Sequence, residues 1–157
     1  MEIERKFLIN KFPQLPLITQ AFMEQGYIST EPVVRIRSKQ TDDGTSYILC
    51  FKGKGTLVRQ EIETEITEEL FKQLKEFIGI PLIKKDWRLY SLDNGLELEV
   101  SCVDKGESTE FFYAEVEFES VEQAMKFVPP VYLGKEVTED TSFTMRSFWE
   151  KKAELYK

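Results

Sequence analysis

Apolar and polar residues alternate with a period of two along most of this chain. Glu2 to Ile9 alternates strictly, with Glu2, Glu4 and Lys6 on one side and Ile3, Arg5, Phe7 and Ile9 on the other. Ile18 to Ser29 fits either period, and Gly26-Tyr27-Ile28 favours a strand. Val33 to Lys39 alternates again and sets Arg35 and Arg37 on one face. The turn residues Thr41-Asp42-Asp43-Gly44 join it to a run from Tyr47 to Lys52, which predicts a hairpin. Gly53-Lys54-Gly55 leads into a further run, Val58 to Ile66.

Thr67 is placed to cap a helix reaching about Ile78, where Gly79 and Pro81 stop it. A second β block follows: Ile83 to Tyr90 and Leu96 to Val103 flank the tight-turn residues Asp93-Asn94-Gly95, and Phe112 to Glu119 forms another strand. Ser120-Val121-Glu122-Gln123 has capping-box spacing for a short helix ending before Pro129-Pro130. Thr141 to Leu155 reads as a C-terminal helix whose docking stripe is Phe143, Met145, Phe148 and Trp149. About eight strands with a few short helices predict an α+β domain, mainly antiparallel β, closing as a sheet or barrel over residues 1–157.

Composition narrows the chemistry. The chain has 157 residues and no histidine, which excludes Ser-His-Asp and Cys-His catalysis and any imidazole metal site. Its net charge of −7 argues against a general nucleic-acid or anionic-membrane binder. No apolar run approaches the roughly 18–20 residues of a membrane span, and MEIERKF lacks the apolar stretch of a signal peptide. Cys50 and Cys102 do not have metal-ligand spacing, so two reduced thiols in the cytoplasm are expected.

The charged faces of the strands carry the functional information. Arg59, Glu61 and Glu63 share one face, as do Glu97 and Glu99, Glu115 and Glu117, and Lys52 with Lys54 if the strand runs that far. A single strand with its polar face in water has the same pattern. Here, however, the signs are grouped: three Glu-x-Glu pairs accompany strands bearing basic pairs. Glu-x-Glu on a strand sets two carboxylates about 6.5–7 Å apart on one face, which suits hard cations such as Mg²⁺ or Mn²⁺. Rows of Lys and Arg suit a phosphate chain, with Arg supplying bidentate contacts. In a closed barrel wrapped by helices these faces would share a lumen.

Glu2-Ile3-Glu4-Arg5-Lys6-Phe7 resembles the N-terminal Glu-x-Glu-x-Lys segment of the CYTH superfamily, the triphosphate tunnel metalloenzymes. The resemblance continues in order through Gly26-Tyr27-Ile28, Val34-Arg35-Ile36-Arg37, Phe51-Lys52-Gly53 and Arg59-Gln60-Glu61-Ile62-Glu63. It extends to Leu98-Glu99-Val100, Glu115-Val116-Glu117-Phe118 and the stretch from Gly134 to Asp140. It implies a closed eight-stranded antiparallel barrel, the tunnel, with peripheral helices and a C-terminal helix. It further implies that Glu2, Glu4, Glu115 and Glu117 hold Mg²⁺ or Mn²⁺, with Glu61 or Glu63 supporting a second ion. Lys6, Arg35, Arg37, Lys52, Lys54 and Arg59 would hold phosphate oxygens, and Lys85, with Glu4, would serve the reaction by orienting or deprotonating the attacking water.

One stretch departs from the family pattern. Members commonly carry an Arg two residues after this lysine, whereas Arg88 follows Lys85 by three. Arg88 therefore joins the substrate-holding set only across a bulge; without one it is a structural ion-pair residue. The resemblance implies hydrolysis of a small linear triphosphate to pyrophosphate and phosphate by metal-activated water, as in small bacterial inorganic triphosphatases. Class IV adenylate cyclase, thiamine triphosphatase and nucleoside or RNA triphosphatase activities stay open, as does a noncatalytic polyphosphate- or nucleotide-binding module.

Overall fold

A computed structural model describes residues 1–157. Nine strands form one sheet: β1 (Glu2–Leu8), β2 (Leu17–Thr30), β3 (Val33–Thr41), β4 (Gly44–Lys52), β5 (Val58–Arg59), β6 (Glu61–Glu65), β7 (Ile83–Ser91), β8 (Glu97–Val103) and β9 (Phe111–Glu117). The strand order is β5-β1-β9-β8-β7-β2-β3-β4-β6, and every pairing is antiparallel. The two outermost strands, β5 and β6, are successive pieces of one run. The run expected as a single strand from Val58 to Ile66 breaks at Gln60, whose carbonyl accepts the Gly53 N–H at 2.8 Å. Before the break it pairs with β1, and after it with β4. That switch nearly closes the sheet into a barrel, and the eight expected strands become nine because one is shared between two edges. The ambiguous segment around Ile18–Ser29 is a single 14-residue strand.

The barrel is apolar outside and charged inside. On β1, Phe7 packs outward in a cluster with Leu98, Val100, Ala114, Val116 and Phe118, which α2 (Val121–Lys126) covers through Ala124. Arg5 ties this layer together. Its guanidinium donates to the Ala124 and Phe127 carbonyls (both 2.8 Å) and to both oxygens of Glu136. A second outer layer forms where α1 (Glu68–Ile78) lays Phe71 against Ile36 and Tyr47. The α1 boundaries follow from its end residues: the Thr67 hydroxyl accepts the Leu70 N–H, and Gly79 takes the left-handed conformation (φ 76°) that only glycine adopts at little cost.

The C-terminal segment is not one helix. A single 3-10 turn, Thr141–Phe143, precedes α3 (Met145–Glu154), because the side chains of Asp140 and Thr144 each cap a separate start. Of the expected docking stripe, Met145 and Trp149 are buried. They join the inward-facing Tyr27, Ile83, Val103 and Tyr113, so α3 plugs one end of the barrel, with the Trp149 ring tilted against Tyr27 at 5.8 Å between centroids. A buried ion pair, Lys152 Nζ to Asp104 Oδ2 at 3.0 Å, fastens α3 to the end of β8.

Candidate active site

Cross-strand register decides which side chains meet. Glu4 on β1 lies opposite Glu117 on β9, and Lys6 opposite Glu115. Arg35 on β3 faces Cys50 on β4; on β4, Cys50 and Lys52 lie opposite Glu63 and Glu61 of β6. Arg59 on β5 lies opposite Glu2. Since every second residue points inward, these groups converge on one internal cavity of about 580 Å³.

The cavity walls are laced with opposite charges. Arg59 bridges two β1 carboxylates, Nε to Glu2 Oε1 and Nη2 to Glu4 Oε1, both at 3.0 Å. Lys52 reaches Glu2 at 3.4 Å and Glu61 at 3.2 Å. By contrast, the Nε atoms of Arg35 and Arg37 are buried without a partner. Lys6 donates to the Phe143 carbonyl at 2.6 Å and lies 4.2 Å from the centre of the Tyr113 ring. Lys85, only 6% exposed, donates to the Tyr113 hydroxyl at 2.5 Å.

Crowding perturbs these groups strongly. Burial, and then the charge of Glu115, raises the Glu4 carboxyl well above its ordinary range. Burial would also raise Glu115, but Lys6 and the hydrogen bond with Glu4 outweigh it and hold Glu115 low. Glu2 is raised by burial and by a hydrogen bond with Glu61. Burial raises Glu99 to about 7, with Glu115 adding to the effect. Burial also drives Lys85 well below the usual lysine range, helped by the nearby Arg35.

Most of the expected set meets here: Glu2, Glu4, Lys6, Arg35, Arg37, Lys52, Arg59, Glu61, Glu63, Lys85, Glu115 and Glu117 all line the cavity. Lys54 also lines it, from the exposed Gly53–Thr56 rim rather than from a strand. Two expectations fail. Arg88 is outside: the β2–β7 register runs without a shift from Gln20–Arg88 to Gln25–Ile83, so no bulge turns it inward. Its guanidinium instead lies 3.9 Å from the centre of the Phe12 ring, with no acidic partner, so it is not an ion-pair residue either. Glu97, expected on the charged face with Glu99, is exposed at the start of β8 and does not reach the cavity. Arg88→Ala is therefore expected to change kcat/KM by no more than about twofold, the usual limit for a substitution away from a site, as steady-state assays would show.

Residues given no role in the site from sequence complete the lining. Trp87 occupies the inward position two residues after Lys85, and its indole N–H donates to Glu99 at 2.9 Å. Tyr27, Ser101 and Tyr113 follow from strand parity, which was available in the sequence. Thr138, Asp140 and Arg146 come from the irregular C-terminal segment, where no periodicity could announce them.

Comparison with known proteins agrees with this geometry. The CYTH domain model matches residues 1–131. An inorganic triphosphatase from Nitrosomonas europaea is 35% identical over 142 residues, covering 90% of this chain and 92% of that protein. The crystal structure of the inorganic triphosphatase NE1496 superposes with a TM-score of 0.67 at 30% identity, covering 94% of this chain and 93% of the other. The PH1819 protein from Pyrococcus horikoshii shares the fold at 22% identity, with a TM-score of 0.66 over 98% of this chain and 99% of the other.

Proposed function

Because the chain belongs to the CYTH domain family, we propose that it hydrolyses inorganic triphosphate to pyrophosphate and phosphate with a divalent cation, Mg²⁺ or Mn²⁺. The observation that carries this reading is the enclosed cavity with carboxylates on β1, β6 and β9 and cationic side chains on β1, β3, β4, β5 and β7. A linear polyanion with a bound cation satisfies both populations at once. Reading residues 1–157 as one unit, past the matched residues, is supported by side chains between Val137 and Arg146 that line the cavity.

The donor set fits a hard cation. Burial and a neighbouring carboxylate raise Glu4 beside Glu115 and Glu2 beside Glu61, and a divalent ion would offset that crowding. Glu2, Glu4, Glu115 and Glu117 would hold it, with Glu61 and Glu63 placed for a second. The potential ligand atoms of Glu61, Glu63 and Cys50 lie within 4.8 Å of one another. Such an ion, when bound, neutralises phosphate charge and makes water more acidic.

The residues of the chain do the rest. Arg35 and Arg37, whose Nε atoms lack partners, present their guanidinium groups to phosphate oxygens. Lys6, Lys52 and Arg59 transfer from their present partners to the substrate, and Lys54 meets it at the rim. Water attacks the terminal phosphorus in line; one P–O bond forms, the bridging P–O bond breaks, and pyrophosphate leaves. Lys85 orients that water or accepts its proton. No helix of the chain is long and apolar enough to cross a membrane. Two buried free thiols, Cys50 and Cys102, support a cytoplasmic setting.

The test is phosphate release from tripolyphosphate, pyrophosphate, ATP and thiamine triphosphate with Mg²⁺, with Mn²⁺ and with EDTA. Turnover of tripolyphosphate ahead of the others, abolished by EDTA, is the expected result. Cyclic AMP from ATP would replace the proposal with a cyclase, and faster release from ATP or thiamine triphosphate with that activity. Tight tripolyphosphate binding without turnover would leave a binding module.

A further inference from the structure

One polar side chain inside the barrel has no place in the chemistry above. Gln25 on β2 is wholly buried, and neither its amide nitrogen nor its amide oxygen has a hydrogen-bonding partner. Register fixes its direction. It sits between Met23 and Tyr27, both of which line the cavity, and directly across from Arg37 on β3 and Ile83 on β7. Gln25 itself is not part of the lining. Arg35 and Lys85 are its diagonal neighbours on the same inward face.

A buried amide with both ends unpaired destabilises the fold, and a methionine of similar volume would remove the penalty. Its surroundings show what could repay it. Guanidinium and ammonium groups only donate hydrogen bonds, and the Nε donors of both Arg35 and Arg37 are also buried and unpartnered. The Gln25 oxygen is the complementary acceptor. The two guanidinium groups repel each other, and a polyanion between them removes that repulsion.

We propose that Gln25 is a positioning residue for substrate: with a triphosphate in the tunnel, its amide oxygen accepts an N–H of Arg37 and holds the guanidinium toward the phosphate chain. This rests on the triphosphate reading of the site. The experiment is a double-mutant cycle with the wild type, Q25M, R37A and the double variant. Tripolyphosphate binding with Mg²⁺ is followed by calorimetry, beside steady-state kinetics and thermal melts. Q25M is expected to melt no lower than the wild type, to bind tripolyphosphate at least tenfold more weakly, and to lose this effect to within twofold in the R37A background. Binding by Q25M within twofold of the wild type overturns the proposal. An equal loss in the presence and absence of Arg37 also overturns it, because Gln25 then does not act through that residue. If Q25M does not fold, Q25N withdraws the amide by one methylene and is read by the same criteria. A wild type that binds tripolyphosphate without hydrolysing it overturns the proposed activity alone, whereas one that does not bind it overturns both.

Discussion

Replacing Glu4 with Gln, or Glu117 with Gln, is expected to slow metal-dependent hydrolysis of tripolyphosphate by on the order of 100-fold or more, the loss typical when one group stabilising transition-state charge is removed. The substitutions keep side-chain volume and delete only the charge. Burial and the neighbouring Glu115 already disfavour a charge on Glu4, so a neutral amide there is tolerated by the fold. The melting temperature should accordingly change little. Glu117 is exposed and lies opposite Glu4, so its replacement disturbs packing even less. Titrating Mg²⁺ or Mn²⁺ against rate separates the causes: a ligand role requires a higher metal concentration for half-maximal rate. Near-normal rates and metal dependence in both variants would remove the carboxylate assignment.

Lys85→Met is expected to lower kcat by on the order of 10²–10⁴, the range for losing a positioned proton-transfer group. Lys6 is lowered by burial too, but Lys85 is the more strongly perturbed of the two. Burial, with Arg35 close by, pushes the Lys85 ammonium well below the ordinary 10.5, which favours the neutral amine. A base works in its unprotonated form. The rate should therefore rise with pH through the lowered value and level off above it. Lys85→Arg keeps the charge but cannot give up its proton. Failure of Arg to restore the rate, together with loss of the pH dependence, assigns proton transfer. Recovery to near wild-type rate would instead make Lys85 a charge that holds phosphate.

The tunnel set was readable because every member but Lys54 belongs to a strand. A period-two pattern states which residues share a face, so Glu2, Glu4 and Lys6, or Glu115 and Glu117, could be grouped before any coordinates were known. The same rule decides Arg88, whose parity is opposite to that of Lys85. The β2–β7 ladder is regular there, and parity holds. Glu97 shows the limit of parity: it shares a face with Glu99, but lies at the end of its strand, beyond the cavity. Position along a strand depends on how neighbouring strands are staggered, and no local pattern records stagger.

The amino-acid pattern alone determined the antiparallel architecture, the α1 and α2 caps, and which face of each strand is charged, because these depend on near neighbours in the chain. Tertiary structure decided what the charged faces meet. The switch of partners at Gln60 turns a sheet with solvated faces into a nearly closed tunnel. It brings Arg59 to Glu2 and Glu4, 57 and 55 residues away in the chain. Burial in that tunnel then shifts the titration of Glu4, Glu115 and Lys85 away from its ordinary range, since the cost of a charge depends on the solvent and partners around it, which only the folded chain supplies.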